Sequence, residues 1–460
     1  MSRALLVGLV AVATIATAAC TPSPKPARAL PSAPALSASA ASSAVLHPPA
    51  GPNDLAAASV SRVLRTMAKL RALRVLSGVR GASITRTTMI AQLKDNVRKE
   101  VPPEAMRGQG DFLRAFGWIP AEFDFEQGLY GLLENQLAGY YDPDQKAMFL
   151  MDDLSSKEAD ATLAHELVHA LQDQHYNLAA RMKYRPEAND EQSAFQCLAE
   201  GDATSAMLDF LLENDDKNAL DVPDFALELQ ITGAMALSAE LTKFPSILRR
   251  SLVVPYVDGV RFVHALRRRG GWQAVDDAWR NLPATTEQIL HLDKFDVREP
   301  QEPVAAPRID ALGPGWKVTY VDIWGEQGLR LGLEEWMPSK LAVRAAQGWA
   351  GDHAVVAAKH TNRGEELAAA WRIRFDPGVP PLARNSDASE AFRSIADSFD
   401  PKRATSAFAC KVLPDGTALA VLARDRDVVL IGGNGLADTG TSLSPCDSAN
   451  RWGTSILSSQ

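Results

Sequence analysis

Cysteine is scarce, with four residues in a chain of 460. That excludes a disulfide scaffold, in which bridges stand in for a core. A basic surplus is missing too: 48 Lys and Arg face 56 Asp and Glu, a net charge of −8. Proteins that neutralise phosphate backbones carry a basic surface, so no nucleic-acid partner is expected. No glycine-rich phosphate loop and no internal repeat occur. Beyond the first twenty residues no apolar run approaches the ~20 residues of a membrane-spanning helix. What remains is ordinary globular usage, 46% hydrophobic and 23% charged. A chain of this length buries a core unaided and suggests two or three domains.

The first nineteen residues read as a secretory signal peptide. Arg3 is followed by 13 apolar or small residues from Ala4 to Ala16, too short to span a bilayer and suited to a signal core. The segment ends Thr17-Ala18-Ala19-Cys20, which resembles the lipobox of bacterial lipoproteins, although Thr17 stands where a large aliphatic residue is usual. The resemblance implies lipid on Cys20, attachment to a membrane of the cell envelope and an extracytoplasmic body. An ordinary signal cleaved near Ala19 is the plainer alternative. Residues 20–54 hold eight of the 28 prolines, with Ala and Ser between them. Such a stretch has too little apolar surface to fold and serves as a tether.

The body reads as α+β. Residues 55–300 form a mostly helical domain with a small edge sheet, and 301–460 a smaller α+β domain. Apolar spacing predicts helices over 55–76, 85–99, 122–136, 155–175, 190–214, 225–244 and 259–269. Pro102-Pro103 stops the second and Gly270-Gly271 the last. Turn residues over 139–146 precede a strand at 147–151. After a Pro-rich linker at 300–314, strands are expected at 318–323, 355–358, 368–375, 408–412, 418–423 and 428–431, with helices over 328–347 and 388–398. Asp415-Gly416 is a hairpin turn.

The chemistry centres on Thr162 to Gln172, which contains His165-Glu166-Leu167-Val168-His169. Residues four apart share a helix face, so both imidazoles can address one zinc ion, with Glu166 beside them as base for an activated water. Leu163, Leu167 and Leu171 form the opposite stripe, giving a helix with one wet edge and one packed face. The bland alternative is a surface helix with two histidines. Against it, imidazoles amid an apolar helix need partners. A third ligand is required. His175 lacks the glycine that would turn the chain back. Glu200, separated from His169 by thirty residues and followed by Gly201, lies on the next helix, where a glycine permits close approach. Glu191 is the competing ligand, and a solvated carboxylate is the plain reading of Glu200.

These residues resemble the gluzincins, zinc metallopeptidases of the thermolysin type. The resemblance covers residues 130 to 295. It implies zinc on His165, His169 and Glu200, Glu166 as catalytic base, and a strand before the active helix (Gly139 to Asp142, then Met148 to Leu150) that pairs with an extended peptide. Val254-Pro255-Tyr256-Val257-Asp258-Gly259 resembles the segment whose tyrosine stabilises the oxyanion, which gives that role to Tyr256. Its alternative is packing, and His291 is a weaker candidate for the same task. Thr204 stands four residues after Glu200 where the thermolysin pattern has an aspartate, leaving Asp202 as candidate orienter of the histidines. No G-x-M-E-N segment occurs, which favours internal cleavage.

Cys410 and Cys446 are expected to pair in an oxidising compartment, closing a loop worth ~3–4 kcal/mol by chain entropy. Cys197 is left as a small buried residue or a thiol near the metal. The expected function is a zinc metallopeptidase acting on extracytoplasmic peptides or proteins, with the tail domain in a docking role. Its rival is a zincin-shaped binding lipoprotein with no catalysis.

Overall fold

The computed structural model describes residues 53–459 apart from 56, 135–136, 238–239, 363, 378–386, 400–406 and 438–442. The signal segment, Cys20 and the tether up to residue 52 lie outside the described residues. The tether's last two positions do not belong to it: Asn53–Asp54 is a short strand, β1, paired with Ser83 and Ala82.

The first part is helical: α1 (Ala57–Leu70), α2 (Arg86–Glu100), α3 (Pro103–Ala115), α4 (Phe125–Glu134), α5 (Ser156–Tyr176), α6 (Leu178–Arg181), α7 (Asn189–Leu212), α8 (Asp224–Leu237), α9 (Ser246–Arg280), α10 (Thr286–Leu290) and α11 (Leu292–Val297). The double proline does more than stop α2. Pro103 opens α3 at a first-turn position, where its missing N–H is no loss. Gly270 and Gly271 take non-helical angles, yet the helix resumes and runs to Arg280. A four-stranded sheet accompanies these helices, in the order β1-β2-β4-β3, with β2 (Arg80–Ile84), β3 (Gly139–Asp142) and β4 (Ala147–Met151). Turn geometry is confined to the residues after Asp142, whose Oδ1 accepts from the backbone N–H groups of Asp144 and Gln145 at 2.9 and 3.0 Å. Gly139–Asp142 itself is strand, antiparallel to β4.

The second part holds a six-stranded antiparallel sheet, order β5-β6-β7-β10-β9-β8: β5 (Lys317–Asp322), β6 (Trp349–Thr361), β7 (Gly364–Phe375), β8 (Phe408–Val412), β9 (Ala418–Arg424) and β10 (Asp427–Gly433). Helices α12 (Gly325–Leu333) and α13 (Ser339–Ala346) connect β5 to β6, and α14 (Asp387–Phe399) and α15 (Pro445–Ser458) complete it. The 328–347 stretch is thus two helices, and α15 has no counterpart among the sequence expectations. Cys410 on β8 and Cys446 in the first turn of α15 form a disulfide, Cα atoms 5.9 Å apart.

No break in the core falls at residue 300. Phe112 of α3 stacks on Trp324 at 4.5 Å between ring centroids and meets Trp371 of β7 edge-on at 5.6 Å, within one apolar cluster that draws on both parts. Two buried polar knots reinforce it. Asp352 of β6 accepts from Trp324 N, Gly325 N and the indole N–H groups of Trp349 and Trp371, at 2.6 to 3.0 Å. Arg71, just beyond α1 and fully buried, bonds Asp202 of α7 and, at 2.8 Å, Asp276 of α9. No helix among the described residues is long and apolar enough to cross a membrane.

Candidate metal centre

Helix α5 starts at a capping box, in which Ser155 and Glu158 satisfy each other's backbone N–H groups. His165, Glu166 and His169 follow in its central turns. Every residue from Ala161 to Asp173 is buried, because α1, α7, β3 and β4 all pack on the helix. The wet edge expected from the sequence is absent. His165 and Glu166 are 0% exposed and His169 9%.

Ligand atoms of His165, Glu166 and His169 lie within 4.8 Å of one another, and this group can hold a metal ion. A second carboxylate enters from α7. Glu200 Oε2 stands 3.2 Å from His165 Nε2 and 3.5 Å from His169 Nε2, and the two Nε2 atoms are 3.0 Å apart. The two glutamates are not equivalent. Glu200 touches both imidazoles. Glu166 Oε2 accepts from the backbone N–H of Tyr141 at 2.8 Å, while its Oε1 is buried with no hydrogen-bond partner among the described residues.

Glu200 reaches this place because α7 and α9 touch backbone to backbone. A Cβ on Gly201 would collide with Gly259, and one on Gly259 with the Cys197 carbonyl. Close approach is the reason for glycine at both positions. The same crossing carries Tyr256, fully buried, with its ring centroid 6.2 Å from that of His165.

Electrostatics follow from four ionisable groups in a dry space. Burial pushes Glu166 up, to about 8. Burial also disfavours the charged form of Glu200, but His169 and His165 outweigh it and hold that carboxyl down, at about 2. His169 is raised to about 9, burial being overcome by the Glu200 and Glu166 carboxylates, whereas burial lowers His165. Two carboxyl groups and two imidazoles crowded into one dry space form a donor set that can hold a cation.

Gln172 orients His169: its Oε1 accepts from Nδ1 at 2.8 Å, and its Nε2 donates to the Ala199 carbonyl at 3.0 Å. The three-residue spacing from His169 is the signal for it, and sequence reasoning passed it over. Asp202 does not orient either histidine. Its carboxylate is taken by Arg71 and by Trp279 Nε1 at 2.8 Å. His165 Nδ1 and the Thr204 hydroxyl are buried and without partners among the described residues.

The other candidates lie elsewhere. Glu191 is half exposed and pairs with Arg185 at 2.9 Å. His175 Nε2 donates to the Arg74 carbonyl at 2.8 Å. His291 meets the Glu326 carboxylate of α12 at 2.9 Å. Cys197 is buried one turn before Glu200, with Sγ 3.4 Å from Gln327 Nε2. Strand β3 is an edge by sheet order, yet all four residues are buried. Tyr141 fastens it to α5 twice, through its N–H on Glu166 and its hydroxyl on Asp173 at 3.0 Å. That outward N–H is therefore engaged within the chain, where the resemblance implied pairing with a peptide. Comparison with protein families, curated proteins and solved structures returned no match. The residues alone carry the conclusion: a buried His-Glu-His group, closed by a carboxylate from α7, that can hold a metal ion.

Proposed function

We propose that the chain is a zinc-dependent metallopeptidase of gluzincin type, an endopeptidase, carried on a bacterial lipoprotein anchored through Cys20. One observation carries the reading: His165 Nε2, His169 Nε2 and Glu200 Oε2 form a triangle with sides of 3.0, 3.2 and 3.5 Å. Tetrahedral zinc with bonds of ~2.0–2.1 Å needs ligand separations of about 3.3–3.4 Å. The unpartnered Glu166 Oε1 beside the triangle supports the catalytic half.

When bound, zinc supplies Lewis-acid polarisation of water and of the scissile carbonyl. The chain's own residues do the rest. Gln172 holds His169 with Nδ1 protonated and Nε2 free to ligate. Tyr141 N–H fixes Glu166 by Oε2, so Oε1 takes the proton of the attacking water and hands it to the leaving nitrogen. Tyr256, placed beside His165, supplies a hydroxyl to the oxyanion.

Metal analysis of the purified chain, joined to a peptide-library cleavage screen, tests this. Glu200→Ala should lose zinc and Glu191→Ala should keep it; the reverse result sinks the ligand assignment. Mass spectrometry of the mature N-terminus tests the anchor, and any start other than a modified Cys20 rejects it.

The burial of Glu166 favours a second reading, a zincin-shaped binding lipoprotein whose site stays shut. Zinc-loaded protein that cuts no peptide in the screen selects it.

A further inference from the structure

Helix α12 belongs to the sheet-bearing part, yet its side chains end at the metal centre's supporting crossing. Arg330 Nη2 donates to Asp258 Oδ2 at 2.6 Å, and Gln327 Nε2 to the same oxygen at 2.9 Å. Asp258 is 2% exposed. It lies two residues after Tyr256 and immediately before Gly259, the residue in backbone contact with Gly201. Glu200 directly precedes Gly201. The Gln327 amide also reaches Cys197 Sγ, on α7 one turn before Glu200.

The helix delivering these side chains is itself fixed. Gln327 N–H donates to the Thr286 hydroxyl at 3.2 Å. Trp324 and Gly325 N–H groups sit on Asp352, anchored to the sheet by two indoles. Gly325 has φ +70° and packs so closely on Asp190 that no Cβ fits. An unbroken buried polar path thus runs from the six-stranded sheet through α12 to the α7–α9 crossing.

Resting on the proposed metal centre, we infer that the sheet-bearing part is its positioning element: Arg330 and Gln327, gripping Asp258, set where Glu200 and Tyr256 stand against the two histidines. Neither side chain touches the metal ligands. Both act through Asp258 and the glycine contact. This assigns the second part a role inside the site, beside the binding or docking role expected from its lack of a second catalytic set.

The test is Arg330→Met in the full chain, with zinc affinity measured by chelator competition. Backbone hydrogen exchange over 197–203 and 256–260 is read on the metal-free protein. Loss of a partner bonded directly to a ligand typically lowers metal affinity about 10–100-fold; Arg330 acts at one remove, so a loss of up to about 10-fold is expected, together with faster exchange in both segments. Arg330→Lys, which keeps the charge on Asp258, should recover part of it. Arg372→Met breaks a different buried pair, with Asp427 in the sheet. It should lower the melting temperature without moving zinc affinity. If Arg330→Met does not fold, Gln327→Met serves with the same readouts. Wild-type zinc affinity and exchange in a folded, less stable variant would overturn the inference. Should the unaltered chain take no zinc, the metal reading fails by itself; the exchange data still decide whether the grip exists, and unchanged exchange rejects it.

Discussion

Two buried carboxylates in this chain live differently. Asp352 has four donors, two on each oxygen, and no capacity left. Glu166, equally buried, has one donor and, among the described residues, an oxygen with none. A carboxylate kept for structure is saturated, because each unmet hydrogen bond in a dry interior is destabilising. The proposed base role of Glu166 needs such an open oxygen, and an open oxygen does not by itself mark a site, since Asp190 Oδ2 also has no partner among the described residues.

The comparison yields graded tests. Glu166→Gln should abolish peptide hydrolysis, a loss of ~10²–10⁴-fold for a general base, with zinc content and melting temperature unchanged. Wild-type activity in that variant would make Glu166 a structural group like Asp352. Asp352→Ala should do the opposite. Stranding four buried N–H donors, at about 1–3 kcal/mol each, is expected to lower unfolding free energy by at least about 4 kcal/mol, measured by denaturant titration. Tyr256→Phe should reduce kcat, by no more than the ~10²–10³-fold of one oxyanion donor, and leave zinc binding alone; an unchanged kcat reduces Tyr256 to packing.

The smallest effect concerns Asp190, a carboxylate between the two extremes. It accepts from Thr286 N and Oγ1, while Oδ2 has no partner among the described residues. Burial raises it to about 7, above the ordinary ~3.9. A carboxyl with a raised folded-state pKa favours the fold most below its unfolded value. That contribution disappears as pH rises toward 7. Asp190→Asn should flatten the decline in stability between pH 4 and 7 and leave the variant the more stable above it. An equally steep decline in both proteins would contradict this.

The sequence made the site more legible than its support. The spacing of His165 and His169 needs only helix geometry, and Glu200 was marked by the glycine after it. Gly259 carries the matching signal on α9. The holders of these groups were hidden, because they join positions far apart in the chain. Arg330 and Asp258 are 72 residues apart and Arg71 and Asp202 131, distances at which periodicity says nothing. The same reason hid the shared core. Phe112 reads as one more apolar helix residue until Trp324 and Trp371 surround it. The strand at Gly139–Asp142 looked like a turn because Asp142 and its followers carry turn chemistry, whereas pairing with β4 decides the residues before it.

Arg71 bears on how much of its N-terminal side the fold can lose. Here the leading helix places Val60, Val63, Leu64 and Met67 in the core and ends at the only cation that meets Asp202 among the described residues. Excision past that point would strand an acid two residues from Glu200 and open the core beside α5. Loss of residues from the N-terminal side therefore has a floor at α1. Limited proteolysis of the folded chain should leave no stable product that starts beyond Arg71.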